Sequence, residues 1–166
     1  MSSVRILGID PGYDRLGVCV LDTEQGKETL VFSTCITTSK KESFEERLLK
    51  AGDELENIIK EYSPNEVSIE KIFFTRSKTT AMHVAQIRGV CIYLTQKHKL
   101  LMAEYSPPEI KLSVAGHGGA SKDDVSFMVS RILKLDQTKN KTLDDEMDAI
   151  AIALTHSSHR KMKGWK

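Results

Sequence analysis

Three strand-like segments precede the first helical pattern of the chain, and the connections between them are short. They cover residues 4–10, 17–22 and 29–37 and are rich in apolar and β-branched side chains. Parallel neighbours need a crossover of a dozen or more residues, and these connections are too short for one. The sequence therefore predicts an antiparallel meander of three strands at the start of the fold.

Helical and strand-like patterns follow along the rest of the chain. Ser43 with Glu46 three residues later forms a capping box at the start of the first predicted helix. His156 and His159 are predicted to cap and end the last helix. After the first helix, the sequence predicts strand 66–70, helix 77–98, strand 100–105 and helices 107–114, 121–135 and 143–156. This order predicts an α/β fold whose mixed sheet has three antiparallel strands followed by parallel ones, flanked by helices.

Length and composition are those of an ordinary globular protein. A chain of 166 residues with 40% hydrophobic and 28% charged residues suits one domain, predicted over 1–160, with a disordered basic tail over 161–166. No uncharged apolar stretch approaches the ~20 residues of a membrane span, so no membrane association is expected. Cys19, Cys35 and Cys91 match no zinc-binding spacing and suit a reducing cytoplasm, where we expect the protein.

Charge is unevenly distributed, although the net charge is only +1. Residues 1–62 carry 8 Lys or Arg against 12 Asp or Glu, whereas residues 71–143 carry 12 against 5. The basic middle third indicates a surface that faces a polyanion such as nucleic acid. An ordinary solvated face explains the same count about equally well.

Four carboxylates occupy positions that could bring them together. Asp10 ends the first strand before Pro11-Gly12, and Glu70 ends the fourth. Asp145 and Asp148 are three residues apart on the last predicted helix and so share one of its faces. A helix laid across the sheet could direct both toward the ends of the two strands.

Converging carboxylates repel one another and need cations between them. Oxygen ligands without Cys or His suit Mg²⁺ or Mn²⁺. Two such ions about 4 Å apart cleave phosphodiesters by activating the attacking water and stabilising the leaving oxygen. One interpretation of the four acids is therefore a metal-dependent nuclease site.

Each acid also has a simpler interpretation. Asp10 before Pro-Gly is typical of a turn, and Glu70 could be a solvated strand end. The helix dipole favours acids in a first helical turn, which explains Asp145 and its neighbours but Asp148 only in part. Asp144 lies four residues before Asp148, so spacing alone does not select Asp145.

Lysines and aromatic residues add features of a nucleic-acid interface. Lys111 follows a pair of prolines, and Lys122 begins a predicted helix, where the dipole disfavours a cation unless a phosphate binds nearby. Phe73-Phe74 leads into Arg76 and Lys78, a combination suited to base stacking and phosphate contact. Ordinary surface lysines and core-packed phenylalanines would give the same pattern.

Taken in order, four segments resemble the RuvC-type Holliday-junction endonucleases of the ribonuclease H-like superfamily, over roughly residues 4–157. They are Gly8-Ile9-Asp10-Pro11-Gly12 with Gly17 downstream, Ile69-Glu70-Lys71-Ile72-Phe73-Phe74, Ala85-Gln86-Ile87-Arg88-Gly89-Val90 and Asp145-Glu146-Met147-Asp148-Ala149-Ile150-Ala151-Ile152-Ala153. Each is weak alone, and their order and separation make the resemblance specific. It implies a ribonuclease H-like mixed sheet and a structure-selective endonuclease that resolves four-way junctions by paired nicks during recombination and repair.

The resemblance assigns the family's catalytic and metal-binding tetrad to Asp10, Glu70, Asp145 and Asp148. These acids would hold two Mg²⁺ ions per subunit, with Mn²⁺ as the other candidate. Small residues are usual between the two helix acids, whereas this chain has Glu146-Met147 there. The extra carboxylate leaves open which acids of this helix join the site.

The resemblance also assigns lysines near the scissile phosphate to Lys111 and Lys122, and a base-stacking aromatic to Phe73-Phe74. A homodimer through the 77–98 helix is implied, together with a junction-binding protein and a branch-migration protein as partners. The simpler interpretation of this helix is an internal core helix.

Other functions remain compatible with the sequence. Asp10-Pro11-Gly12 with Gly17 resembles the first phosphate loop of actin-like kinases and ATPases, which need a second phosphate loop that the sequence does not show. A non-catalytic DNA-binding module would be expected to lack at least one acid of the tetrad. A ribonuclease H-like nuclease that acts on another nucleic acid would fit the basic segment equally well.

Overall fold

Five strands of the described chain form one mixed sheet. They are β1 Val4–Asp10, β2 Arg15–Glu24, β3 Lys27–Thr37, β4 Glu66–Glu70 and β5 Leu101–Tyr105. A computed structural model describes residues 3–71, 78–135 and 144–163. The strand order is β3-β2-β1-β4-β5, with an antiparallel meander of β1 to β3 and with β4 and β5 parallel to β1. The predicted mixed sheet is confirmed.

Helices in the described part of the chain are α1 Phe44–Tyr62, α2 Lys78–Lys97, α3 Pro107–Ala115, α4 Lys122–Leu133 and α5 Asp144–Lys163. Capping boxes start α1 at Ser43 and α4 at Ser121. The prediction that His156 and His159 end the last helix is wrong, because the buried His156 contacts Glu66 and the helix continues past both. Residues 161–163 are therefore helical, and 164–166 lie outside the described residues.

Helices cover both faces of the sheet. In β1, Leu7 and Ile9 point into the core formed with α1 and α2, whereas Ile6 points into the core formed with α3, α4 and α5. Successive side chains of a strand point to opposite faces, so a strand buried on both faces has a continuous apolar sequence. Among the helices described, none is both long enough and apolar enough to span a membrane.

Two glycines let α5 lie close against β1 and β2. A Cβ atom at Gly8 would overlap the carbonyl oxygen of Ala149, and one at Gly17 would overlap that of Asp145. The buried Cys19 thiol also donates a hydrogen bond to the Ala149 oxygen at 3.3 Å. Because neither glycine can gain a side chain without moving the helix, these contacts fix the distance of α5 from the sheet.

A buried arginine holds the loop between β1 and β2. Arg47 of α1 pairs with Asp14 and donates hydrogen bonds to the Thr38 hydroxyl at 2.9 Å and the Tyr13 carbonyl at 3.2 Å. Thr38 in turn donates from its hydroxyl to the same carbonyl at 3.0 Å. The turn that follows Asp10 is thereby tied to α1.

Candidate active site

Asp10 and Glu70 lie at the same edge of the sheet. Strands β1 and β4 are parallel neighbours with Ile9 opposite Ile69, so the residues that end both strands emerge side by side. Asp10 lies two residues after Gly8 and Glu70 lies four residues after Glu66, so both acids are on the face of the sheet that packs against α5. The sequence predicts this placement for the two acids.

A cleft of about 190 Å³ opens beside these two acids. Three carboxylates and two lysines line it, namely Asp10, Glu70, Asp148, Lys111 and Lys122. Its apolar wall comes from α3, α4 and α5, with Pro107, Ile110, Val125, Ala151 and Ile152. The structure thus brings together five of the six predicted catalytic residues.

Acids of the cleft hinder one another's ionisation. Burial, followed by the negative charges of Glu70 and Asp148, raises the pKa of Asp10 to about 7. Burial and the charge of Asp148 likewise raise the pKa of Glu70 to about 7. Burial also raises the pKa of Asp148, although Lys122, whose Nζ lies 2.8 Å from Asp148 Oδ2, opposes the rise. Additional positive charge in this cleft would therefore be stabilising.

Asp145, the sixth predicted residue, contacts a cation beside the cleft. Its Oδ2 atom lies 2.5 Å from Nη2 of Arg15, and the Cys35 thiol lies 3.9 Å from the same oxygen. The neighbouring Glu146 accepts a hydrogen bond from the Ser33 hydroxyl at 2.8 Å. Since Ser33 belongs to β3, this contact turns Glu146 away from the residues that line the cleft.

Donor chemistry of the site fits a hard divalent cation. Among the described residues, no three His, Cys, Asp or Glu side chains already surround a common metal position. Oxygen ligands nevertheless converge, and Asp10 and Glu70 resist ionisation without a positive partner. Asp10, Glu70 and Asp148 could hold a cation in the cleft, and Asp145 could join them once it leaves Arg15.

Several residues around the start of α5 are not singled out by the sequence. Arg15 stands two residues before Gly17 on one strand, so both belong to the face that meets α5, and this spacing is the signal for it. Ser33 and Cys35 carry no comparable signal. Asp144, the other candidate acid of this turn, is mostly exposed, with its carboxylate 4.0 Å from Lys122 Nζ.

Three predicted DNA-binding residues, Phe73, Phe74 and Arg76, lie outside the described residues. Lys78 begins α2, and its side chain also lies outside them. Arg88, in the third segment of the resemblance, pairs with Glu104 of β5 and is largely buried. It therefore ties α2 to the sheet.

The mixed sheet and its flanking helices define a protein of the ribonuclease H-like class. The family model described as crossover junction endodeoxyribonuclease RuvC matches residues 6–156, a span that includes all six predicted catalytic residues. The chain belongs to the RuvC family of crossover junction endodeoxyribonucleases.

Relatives are similar over almost their whole length. RuvC of Petrotoga mobilis is 38% identical over 156 residues, which cover 94% of this chain and 94% of the relative. RuvC of Prochlorococcus marinus strain NATL2A is 41% identical over 152 residues, which cover 92% and 97%. The solved structure of T. thermophilus RuvC in complex with Holliday junction substrate has a TM-score of 0.89 at 30% identity and covers 96% of both chains. The predicted family is confirmed, and the protein is an endodeoxyribonuclease of a metal-dependent family.

Proposed function

We propose that the protein resolves four-way DNA junctions by paired hydrolytic nicks made at the cleft beside Asp10 and Glu70. The observation that carries this proposal is the convergence of three carboxylates and two lysines in one cleft. Carboxylates attract the cations that phosphodiester cleavage uses, and lysines attract the phosphate itself. The junction substrate of the T. thermophilus relative supports the choice of DNA structure.

Asp10, Glu70, Asp145 and Asp148 would hold two Mg²⁺ ions per subunit, or Mn²⁺, which accepts the same oxygen ligands. Bound ions of this kind supply a nucleophilic hydroxide from water and offset the charge on the departing oxygen. Asp148 is already held by Lys122, whose Nζ lies 2.8 Å from its Oδ2, and both side chains line the cleft.

Lys111 and Lys122 would act on the phosphate. Both line the cleft, so a phosphate placed beside Asp10 and Glu70 would lie within reach of their ammonium groups. Negative charge increases on the phosphoryl oxygens as the attacking oxygen approaches, and fixed cations stabilise that charge more than the ground state. The lysines would therefore increase the rate of cleavage more than the affinity for DNA.

DNA contacts beyond the cleft are proposed for Phe73, Phe74, Arg76 and Lys78. Phe73, Phe74 and Arg76 come three to six residues after Glu70 in the sequence, and Lys78 is the first residue of α2. Aromatic rings stack on unpaired bases and cations bind phosphates, which suits the open centre of a junction.

A homodimer would supply one cleft to each of the two strands that are cut. Met82 and Tyr93 of α2 are exposed in the single chain, and a side chain at Gly89 between them would meet no atom within 4 Å. We place the contact between subunits on this helix.

A junction-binding protein and a branch-migration protein are proposed as partners. The three free thiols suit a reducing cytoplasm, which we propose as the location.

The test is cleavage of a synthetic mobile four-way junction beside plain duplex DNA and an RNA–DNA hybrid, with Mg²⁺ and with EDTA. We expect paired nicks in the junction alone, which EDTA abolishes. Asp10→Asn and Glu70→Gln should bind the junction and leave it uncut. Glu45→Gln, the same change at an exposed residue of α1 on the opposite face of the sheet, should cut like the wild type.

Other outcomes would each replace the proposal with a defined alternative. Cleavage of the hybrid instead of the junction would keep the site and assign a ribonuclease substrate. Tight junction binding without cutting under either metal would indicate a binding module. Turnover of ATP would favour the kinase and ATPase interpretation of the Asp10-Pro11-Gly12 turn. Wild-type cutting by Asp10→Asn would show that the tetrad is assigned wrongly.

A further inference from the structure

Two cations each neutralise one acid of α5 in this structure. Arg15 Nη2 lies 2.5 Å from Asp145 Oδ2, and Lys122 Nζ lies 2.8 Å from Asp148 Oδ2. Asp10 and Glu70 form no such ion pair within the ranges that the structure describes. Lys122 lines the cleft together with the acid it contacts, whereas Arg15 and Asp145 lie outside the lining.

The position of Arg15 follows from the contact between β2 and α5. Arg15 begins β2, and Gly17 two residues later leaves room for the backbone of Asp145. The same contact places Asp10 close by, since a Cβ atom at Gly17 would lie 3.3 Å from the Asp10 Cβ. The Asp145 carboxylate is therefore near the cleft but is directed to the arginine.

Arg15 can leave this contact at little cost. Its side chain is 45% exposed, so water already screens the ion pair and would solvate the released guanidinium. The buried Arg47, at 10% exposure, has no such freedom, since its release would strand a charge in the interior. A divalent cation carries twice the charge of a guanidinium and suits carboxylate oxygen, so it would compete well for Asp145.

We propose that Arg15 is a positioning residue that holds Asp145 in the metal-free protein and releases it when a divalent cation binds beside Asp10 and Asp148. This inference rests on the metal site of the proposed function. Arg15 keeps the first turn of α5 from being repelled by the other acids. It also competes with the cation for one ligand, so it lowers the affinity for metal.

The test measures binding of Mn²⁺ alone, without DNA, from the electron paramagnetic resonance signal of the free ion. Arg15→Gln removes one positive charge beside the site, and we expect its Kd for Mn²⁺ to fall about three- to tenfold. Arg15→Lys keeps the charge and should stay within about twofold of the wild type. Lys97→Gln is the matched control. Lys97 is 47% exposed, its Nζ lies 3.0 Å from Glu56 Oε1, and neither residue lines the cleft.

Thermal unfolding gives a second measurement that does not depend on cleavage. Metal-free Arg15→Gln should have a lower melting temperature than the metal-free wild type. Saturating Mn²⁺ should raise the melting temperature of Arg15→Gln by more than it raises that of the wild type. An unchanged or weaker affinity of Arg15→Gln for Mn²⁺ would overturn the inference and leave the metal site intact. A wild-type protein that binds no Mn²⁺ would overturn the metal site itself, and the inference with it.

Discussion

His156 Nε2 lies 2.7 Å from Glu66 Oε2, and both side chains are buried at the opposite end of β4 from Glu70. The other ring nitrogen of His156 lies 2.8 Å from the Tyr105 hydroxyl. Arg160 Nε lies 2.7 Å from the same Glu66 oxygen. The His156 ring thus bridges Glu66 and Tyr105 through both of its nitrogen atoms. This cluster anchors the second half of α5 to β4 and β5.

His156→Ala should destabilise the protein by about 3 kcal/mol, because it leaves the Glu66 carboxylate and the Tyr105 hydroxyl buried without the ring between them. Urea unfolding followed by circular dichroism measures the change. His98→Ala is the control, since His98 contacts Glu56 at a similar 2.9 Å but is 23% exposed, and Glu56 keeps its pairs with Lys60 and Lys97, so the loss should be much smaller. Equal losses for the two variants would contradict a structural role for the buried cluster.

Gly17→Ala should abolish or strongly reduce cleavage, because the added methyl group would overlap the carbonyl oxygen of Asp145 and displace the first turn of α5. We expect a loss of about 1–3 kcal/mol in stability, as for other overpacked sites. Gly118→Ala adds the same methyl group where the nearest atom is 3.8 Å away, and it should keep both properties. A fully active Gly17→Ala would show that α5 can shift without loss of function.

Lys122→Gln should lower kcat for junction cleavage about 100-fold, with little change in junction affinity, because the lost cation acts mainly on charge that develops during the reaction. Single-turnover cleavage and binding by gel shift separate the two effects. Lys60→Gln changes a lysine of α1 that pairs with Glu56 at 3.3 Å, and it should leave both unchanged. A loss confined to affinity would assign Lys122 to DNA binding alone.

Stability of the metal-free protein should depend on the ionisation of Asp10. Its pKa is about 7 in the folded state and near 4 in an unfolded chain, so the folded state binds more protons between these values. The contribution of this group is therefore full below about pH 4 and is lost as the pH rises through 7. The stability of the wild type relative to Asp10→Asn should fall from pH 5 to pH 8, as measured by urea unfolding in EDTA. A constant difference would contradict the raised pKa.

Much of the fold follows from local sequence signals. The β1 and β4 boundaries and the capping box at Ser43 are stated correctly by periodicity and side-chain chemistry, which act within a few residues. The end of α5 is not predicted correctly. His156 remains helical because it contacts Glu66 of β4 and Tyr105 of β5, which are far from it in the sequence. Local patterns carry no information on such partners.

The cleft shows the same division. Alternation along β1 and β4 places Asp10 and Glu70 together, and spacing on α5 places Asp148 toward them, so these residues could be predicted. The direction in which the Asp145 carboxylate points could not be predicted from the sequence. It depends on which cation lies within reach once β2 and α5 are packed. Arg15 supplies that cation from a strand separated from α5 by most of the chain.

The hydrogen bond from Cys19 to Ala149 joins residues 130 positions apart in the chain. The proposed catalytic centre accordingly combines the first strand with α5, the last helix described. In a ribosome-bound chain, β1 and β4 are synthesised before α5. Such a chain carries Asp10 and Glu70 but lacks Asp148 and the part of the cleft wall that α5 supplies. Under the proposed function, cutting therefore requires that α5 has been synthesised and has docked against β1 and β2.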